Sequence, residues 1–182
     1  MNTIIETERL VLRKWQANDL KPFAALNSDP RVMEYFPAVM SLAETEAMIK
    51  TIEERSQLNG FGYCSAELKE TKEFIGFIGL NVPGYPLLFS PCVEIGWRLA
   101  FAHWGKGYAQ EGARAALKFG FEKLNIAEIV SFTTVGNLRS RHVMEKIGMS
   151  HNADDDFDHP KLSEGHKLRR HVLYRIKRQP HV

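Results

Sequence analysis

The sequence predicts a mixed α/β fold, a single-layer sheet with helices on its faces, and three observations support that expectation. Apolar runs of strand length, several alternating at period two, recur along the 182 residues. Between them lie stretches of helical periodicity, opened by capping residues or closed by glycine. The resulting order is βααββ followed by βαβαβ, with one convincing parallel crossover, which argues against a doubly wound dinucleotide-binding sheet.

Residues 9–15 (RLVLRKW) form the first expected strand, with Leu10 and Leu12 alternating against Arg9, Val11 and Arg13. A helix follows from about Asn18, with Pro22 in its first turn, where an N–H would lack an intrahelical partner anyway. Residues 29–37, an apolar and aromatic stretch between prolines, read either as a packed loop or as a wall of a cleft. Ser41-Leu42-Ala43-Glu44 has capping-box spacing and opens a helix expected to stop near Asn59-Gly60. Two strands, 61–69 and 73–82, meet at the polar turn Glu70-Thr71-Lys72, and a proline-rich loop precedes the strand 93–100.

That strand places Val93, Ile95 and Trp97 on one face. It leads through Trp104-Gly105-Lys106-Gly107-Tyr108-Ala109 into a helix with Ala113, Ala116, Leu117, Gly120, Phe121 and Leu124 on one stripe. A further strand at 128–135, a short helix at 138–147 opened by Gly136-Asn137 and closed by Gly148, and a last strand at 171–177 complete the chain. One domain spanning 1–182 is expected.

Composition narrows the function. A hydrophobic fraction of 44%, a charged fraction of 25% and a net charge of +2 describe an ordinary soluble domain. Neither nucleic acid nor a membrane is expected as a partner, and with no apolar leader the cytoplasm is the expected location. Cys64 and Cys92 supply no metal spacing or disulfide framework. His151, His159, His166 and His171 match no metal-ligand pattern, so no metal is expected. The basic stretch from Lys167 to Arg178 alternates with Val172, Tyr174 and Ile176 and reads as a solvated strand face.

Chemistry is concentrated in two segments. Two glycines at a helix start allow close backbone approach and present unpaired N–H groups at the positive end of the helix dipole, which suits a phosphate. A nucleotide P-loop fails because Lys106 is followed by Gly107, and the dinucleotide fingerprint fails because Gln110 occupies its third glycine position. On the strand before this turn, Glu94 faces away from Val93 and Ile95. It reads either as a general base or as an ion-pair partner of Arg98 on the same face. Asn137 is placed to cap the short helix, with Ser140 three residues on.

Taken together, TERLVLRKW, DPRVMEYFP, FIGFIGL, VEIGWRLAFAHWGKGYAQE and NLRSRHVMEKIGM resemble, in order, the GNAT acetyltransferase superfamily. The branch they look most like contains the ribosomal-protein N-terminal acetyltransferases of the Rim type. Trp104 departs from the Gln or Arg common at the start of the family's phosphate-binding pattern, although the Rim-type branch has Trp-Gly there too. The resemblance implies a mostly antiparallel sheet of about seven strands, helices on both faces, and acetyl-CoA as co-substrate without a metal. It implies that Trp104, Gly105, Lys106, Gly107, Tyr108 and Ala109 hold the CoA pyrophosphate. Leu99, Ala100 and Phe101 would pair with the pantetheine arm, and Asn137 would touch its amide. Glu94 is then the expected base, Ser140 the proton donor at sulfur, and an N–H near Leu99 the oxyanion donor.

The acceptor is expected to be an amine, either a small molecule or a protein N-terminus, acetylated by direct transfer in a ternary complex. Trp15, Tyr35 and Phe36, with residues 157–160, are the expected walls of its cleft. The alternative on the same fold is a non-catalytic acyl-CoA-binding or ribosome-associated module. An open sheet edge also offers a surface for a homodimer.

Overall fold

Phe74–Asn81 is the strand on which the hydrophobic core divides in two. Phe74 and Phe77 face one side of the sheet, while Ile75, Ile78 and Leu80 face the other. Strict alternation would put Phe74 and Phe77 on opposite faces. The registers Ala66↔Gly76 and Glu67↔Phe74 leave Ile75 as an extra residue, and this β-bulge inverts the parity. Gly76 accommodates it at φ 137°, where a Cβ would lie 2.1 Å from the Arg98 carbonyl oxygen.

The computed structural model describes residues 3–179. Within them the strands are β1 Thr3–Glu6, β2 Leu10–Arg13, β3 Tyr63–Leu68, β4 Phe74–Asn81, β5 Glu94–Leu99, β6 Glu128–Thr134, β7 Ser150–His151, β8 Phe157–Asp158 and β9 Arg170–Lys177. The helices are α1 Leu20–Asn27, α2 Leu42–Asn59, α3 Tyr108–Glu122 and α4 Leu138–Lys146. The sheet runs β1-β2-β3-β4-β5-β6-β9-β7, with β8 also on β9. Every pairing is antiparallel except β5 with β6. This is the mixed, mostly antiparallel sheet that was expected, with nine strands rather than about seven. Six of the nine match strands placed along the sequence, and the others are β1 and the short β7 and β8, too brief for a periodic signal.

One face of the sheet packs on α3 through Ala113, Ala116 and Leu117, and the other packs Trp15 and Phe23 against Phe77 beneath α1 and α2. Ser41 and Glu44 form the expected capping box at the start of α2, and Gly60 closes that helix in the left-handed conformation. The entry to α1 is tied down by charge. Arg13, on β2, donates to both carboxylate oxygens of Asp19 at 2.7 and 2.8 Å and to Glu67 at 2.8 Å. Burial of a guanidinium is tolerated there because two carboxylates meet it. Among the described residues, no helix is long and apolar enough to cross a membrane.

The feature that positions the site is the single parallel junction. β5 and β6 share one register pair, Glu94↔Val130, with Val130 N–H donating to Val93 O at 2.9 Å. Ser131 Oγ then donates to Ile95 O at 2.9 Å. Past that point the ladder ends, and the sheet opens between the two strands.

Candidate active site

The gap exposes one edge of β5. Ala100 N–H donates to Ile75 O at 2.9 Å, so in the antiparallel ladder residues 94, 96, 98 and 100 turn their backbone groups to β4. Trp97 and Leu99 turn theirs to the gap. The Leu99 carbonyl is taken by the indole N–H of Trp104 at 2.8 Å. That leaves the Trp97 N–H and C=O and the Leu99 N–H directed at the opening. The backbone available for a strand-like ligand therefore begins two residues earlier than expected, because Ala100 is already committed to β4.

Side chains on β5 sort the same way. Ile95 and Leu99 join the core under α3, whereas Glu94, Gly96 and Arg98 face the α1–α2 side. They floor a cleft of about 1180 Å³ whose lining runs from Tyr63, Tyr85 and Phe36 to the Trp104–Ala109 turn, Asn137 and Ser140. Glu94 keeps a partly exposed carboxylate here. Its Oε1 accepts from Tyr63 Oη at 2.6 Å and from Asn81 Nδ2 at 2.7 Å, while Oε2 has no hydrogen bond among the described residues. Burial raises its pKa, and the two hydrogen bonds from Tyr63 and Asn81 work against that rise. Tyr63 is itself pushed well above the usual phenol value by burial and by Glu94, so it remains a neutral donor.

At the other end of the cleft, Gly105 and Gly107 take φ of 72° and 80°, and Gly107 is the N-cap of α3 without a side-chain cap. Glu111 N–H returns to Gly107 O at 3.0 Å, so the N–H groups of Tyr108, Ala109 and Gln110 lack intrahelical partners. Among the described residues, no heavy atom beyond its chain neighbours lies within 4 Å of where a Gly105 Cβ would be, so the backbone there is open to approach. Arg9 braces the turn from outside, bonding Lys106 O at 3.0 Å and Glu111 at 2.6 Å. Across the gap, Asn137 caps α4 by accepting from Ser140 N–H at 3.2 Å, as its spacing predicts. Its Nδ2 donates to Thr133 Oγ1 at 2.9 Å, which sets its carbonyl toward the helix. Neighbouring Thr134 Oγ1 is buried without a partner among the described residues.

Comparison with known proteins decides the family. A model of the acetyltransferase (GNAT) domain matches residues 9–150. The chain belongs to the GNAT acetyltransferase family. The uncharacterised protein YkkB of Bacillus subtilis (strain 168) is 34% identical over 151 residues, covering 82% of this chain and 87% of that one. An acetyltransferase structure from Agrobacterium tumefaciens str. C58 superposes with a TM-score of 0.77 at 30% identity, covering 98% of this chain and 95% of its own. The spermidine N-acetyltransferase of Vibrio cholerae, in complex with CoA and spermine, shares the fold with a TM-score of 0.71 at 22% identity, covering 92% and 95%.

In this GNAT acetyltransferase the cleft gathers Tyr35, Phe36, Glu94, Leu99, every residue from Trp104 to Ala109, Asn137 and Ser140. Three expected positions fall outside it. Trp15 is 8% exposed, packs 5.0 Å from Phe23, and spends its indole N–H on Tyr63 O, so it supports the cleft from beneath instead of walling it. Ala100 packs against the α1–α2 core, and Phe101 lies under Arg31 in a neighbouring depression. Of residues 157–160, Phe157 is core and His159 reaches the cleft. The ion pair weighed for Glu94 and Arg98 is not formed, because Arg98 instead donates to Asn27 Oδ1 at 2.7 Å.

Tyr63, Asn81 and Tyr85 went unread. Each is an ordinary residue of a strand or loop, and only strand pairing sets Tyr63 and Asn81 beside Glu94. Among the described residues, no three His, Cys, Asp or Glu side chains are arranged to hold a metal.

Proposed function

We propose that the chain is an acetyl-CoA-dependent N-acetyltransferase that moves the acetyl group directly to a primary amine. The observation that carries this reading is Glu94, a carboxylate with one oxygen held by Tyr63 and Asn81 and the other left toward the cleft. A raised pKa suits a group that must accept a proton near neutrality. The unpaired N–H groups at the start of α3 would hold the pyrophosphate, and the free N–H and C=O of Trp97 would hold the pantetheine arm. Bound acetyl-CoA supplies the acetyl group as an activated thioester.

Glu94 would take the proton that the attacking amine gives up, through a water at Oε2. The Leu99 N–H would steady the acetyl oxygen, worth about 3 kcal/mol if well aimed. Ser140 would return a proton to the departing sulfur, since it stands on the first turn of α4 beside the same cleft. Tyr35 and Phe36 would enclose the acceptor. The Vibrio cholerae complex supports the fold's capacity to hold CoA and an amine together.

Release of free thiol from acetyl-CoA against a panel of small amines and N-terminal peptides tests the proposal, with CoA binding measured by calorimetry in parallel. Turnover on one acceptor class, strongly reduced in Glu94→Gln, is the expected result. Tight CoA binding with no turnover on any amine would favour a binding-only module. No CoA binding at all would sink the reading.

A further inference from the structure

Arg98 is a buried cation with no described anion beside it and no part in the chemistry above. It is 8% exposed and sits on the cleft face of β5, four residues beyond Glu94, so the two α-carbons are about 13 Å apart along the strand. Its surroundings are neutral. Nη1 donates to Asn27 Oδ1 at 2.7 Å and lies 3.8 Å from the sulfurs of Met40 and Met48, and the guanidinium stacks 4.0 Å over Phe36. Among the described residues, buried Nε has no partner, Nη2 makes no hydrogen bond and no carboxylate pairs with the guanidinium. Burial lowers its pKa only to about 10, so it stays charged at neutral pH.

The same chain shows what a purely structural buried guanidinium looks like. Arg13, 5% exposed, is met by Asp19 and Glu67 and has all three nitrogens bonded. A desolvated charge without an anion is costly, and the usual remedy is a paired carboxylate. Among the described residues no carboxylate meets Arg98, and the residue lines the cleft in which the acceptor would lie.

Building on the acetyltransferase reading above, we propose that Arg98 binds a carboxylate carried by the acceptor, so that the preferred substrates are amines bearing a carboxylate several bonds from the nitrogen. A single guanidinium among aromatic rings and thioethers suits one delocalised negative charge, and the planar fork matches a carboxylate. A phosphate dianion would call for further cations around Arg98. A polyamine would set a second ammonium against the guanidinium.

The test uses acceptors matched in the amine and differing at the far end, where each carries a carboxylate, a carboxamide or a phosphonate. Wild type, Arg98→Met and Arg98→Lys are compared by kcat/KM, and CoA affinity is measured for each as a check on folding. In the wild type the carboxylate member is expected to exceed the carboxamide roughly 10- to 100-fold, mainly through KM. That ratio should fall to near one in Arg98→Met and be partly kept in Arg98→Lys. Should Arg98→Met fail to fold, the wild-type ratio and Arg98→Lys still decide. In protein that acetylates at least one acceptor of the panel, a wild-type ratio of one, a preference for carboxamide or phosphonate, or no acetylation of any carboxylated amine would overturn the assignment of Arg98 alone, whereas CoA binding without turnover on any acceptor would overturn the acetyltransferase reading. Failure of wild-type protein to bind CoA would overturn the acetyltransferase reading, and this inference with it.

Discussion

Replacing Glu94 by Gln removes a charge while keeping the geometry around it. The Gln carbonyl oxygen can accept from Tyr63 Oη and Asn81 Nδ2 as Oε1 does now, at 2.6 and 2.7 Å. What is lost is the ability of the other oxygen to take a proton. A positioned general base contributes roughly 10²- to 10⁴-fold, or about 3–5 kcal/mol of barrier, so kcat/KM should fall by that factor at neutral pH. Stability should move the other way or not at all. Because burial raises the Glu94 pKa in the fold, the contribution to stability is full below the unfolded value and is lost as pH rises through the folded one. At neutral pH the carboxylate is therefore held at a cost that Gln does not carry, and Gln should melt at the same temperature or higher.

Glu94→Ala is the contrast. It strands the Tyr63 hydroxyl and the Asn81 amide, at about 1–3 kcal/mol each, and should lose both activity and stability. In wild type the acid limb of kcat/KM should lie above 4.5, the ordinary glutamate value, and vanish in Gln. Thiol release across pH and thermal melting at neutral pH check both halves. Turnover within twofold of wild type, or a Gln variant that melts several degrees lower, would refute the reasoning.

Gly107→Val forces a β-branched residue to φ 80°, and CoA affinity by calorimetry should fall at least about tenfold; unchanged affinity would move the phosphate site elsewhere. Ser140→Ala keeps the α4 cap, since Asn137 accepts from the Ser140 backbone N–H and not its hydroxyl. Melting should be unaltered while kcat drops roughly 10²-fold, and a normal kcat would leave Ser140 as a helix-start residue. Asp19→Ala leaves the buried Arg13 with Glu67 as its one described carboxylate and should lower Tm by on the order of 10 °C, with a shift under a degree or two counting against a structural role. Burial, with His171 adding to it, lowers the His159 pKa from 6.5 to about 4. Below 6.5 the unfolded chain binds a proton that the folded site refuses, so Tm should decline toward pH 4 and less steeply in His159→Phe; equal slopes would show that other groups govern the acid limb.

The local pattern of residues was enough for the elements that sequence-local physics specifies. The Ser41–Glu44 capping box, the Gly60 and Gly148 helix ends, the Asn137 cap and the glycine turn before α3 each depend on a few neighbouring residues, and each stands where its spacing predicts. The open backbone of the Gly105–Gly107 turn was legible for the same reason. Long-range pairing decided the rest. The parity change at Ile75, the commitment of Ala100 to β4, and the meeting of Tyr63 and Asn81 with Glu94 arise from register between strands far apart in the chain, which no local period encodes. Trp15 read as a cleft wall and is a core support, because aromatic character is the same on either side of a sheet until packing chooses the side. Arg98 shows the division most plainly. Alternation along β5 put it on the face of Glu94. Only the tertiary structure brings Asn27 of α1, far away in the chain, to its Nη1 at 2.7 Å and leaves it without a described carboxylate, because that packing of helix on sheet is encoded in no local period.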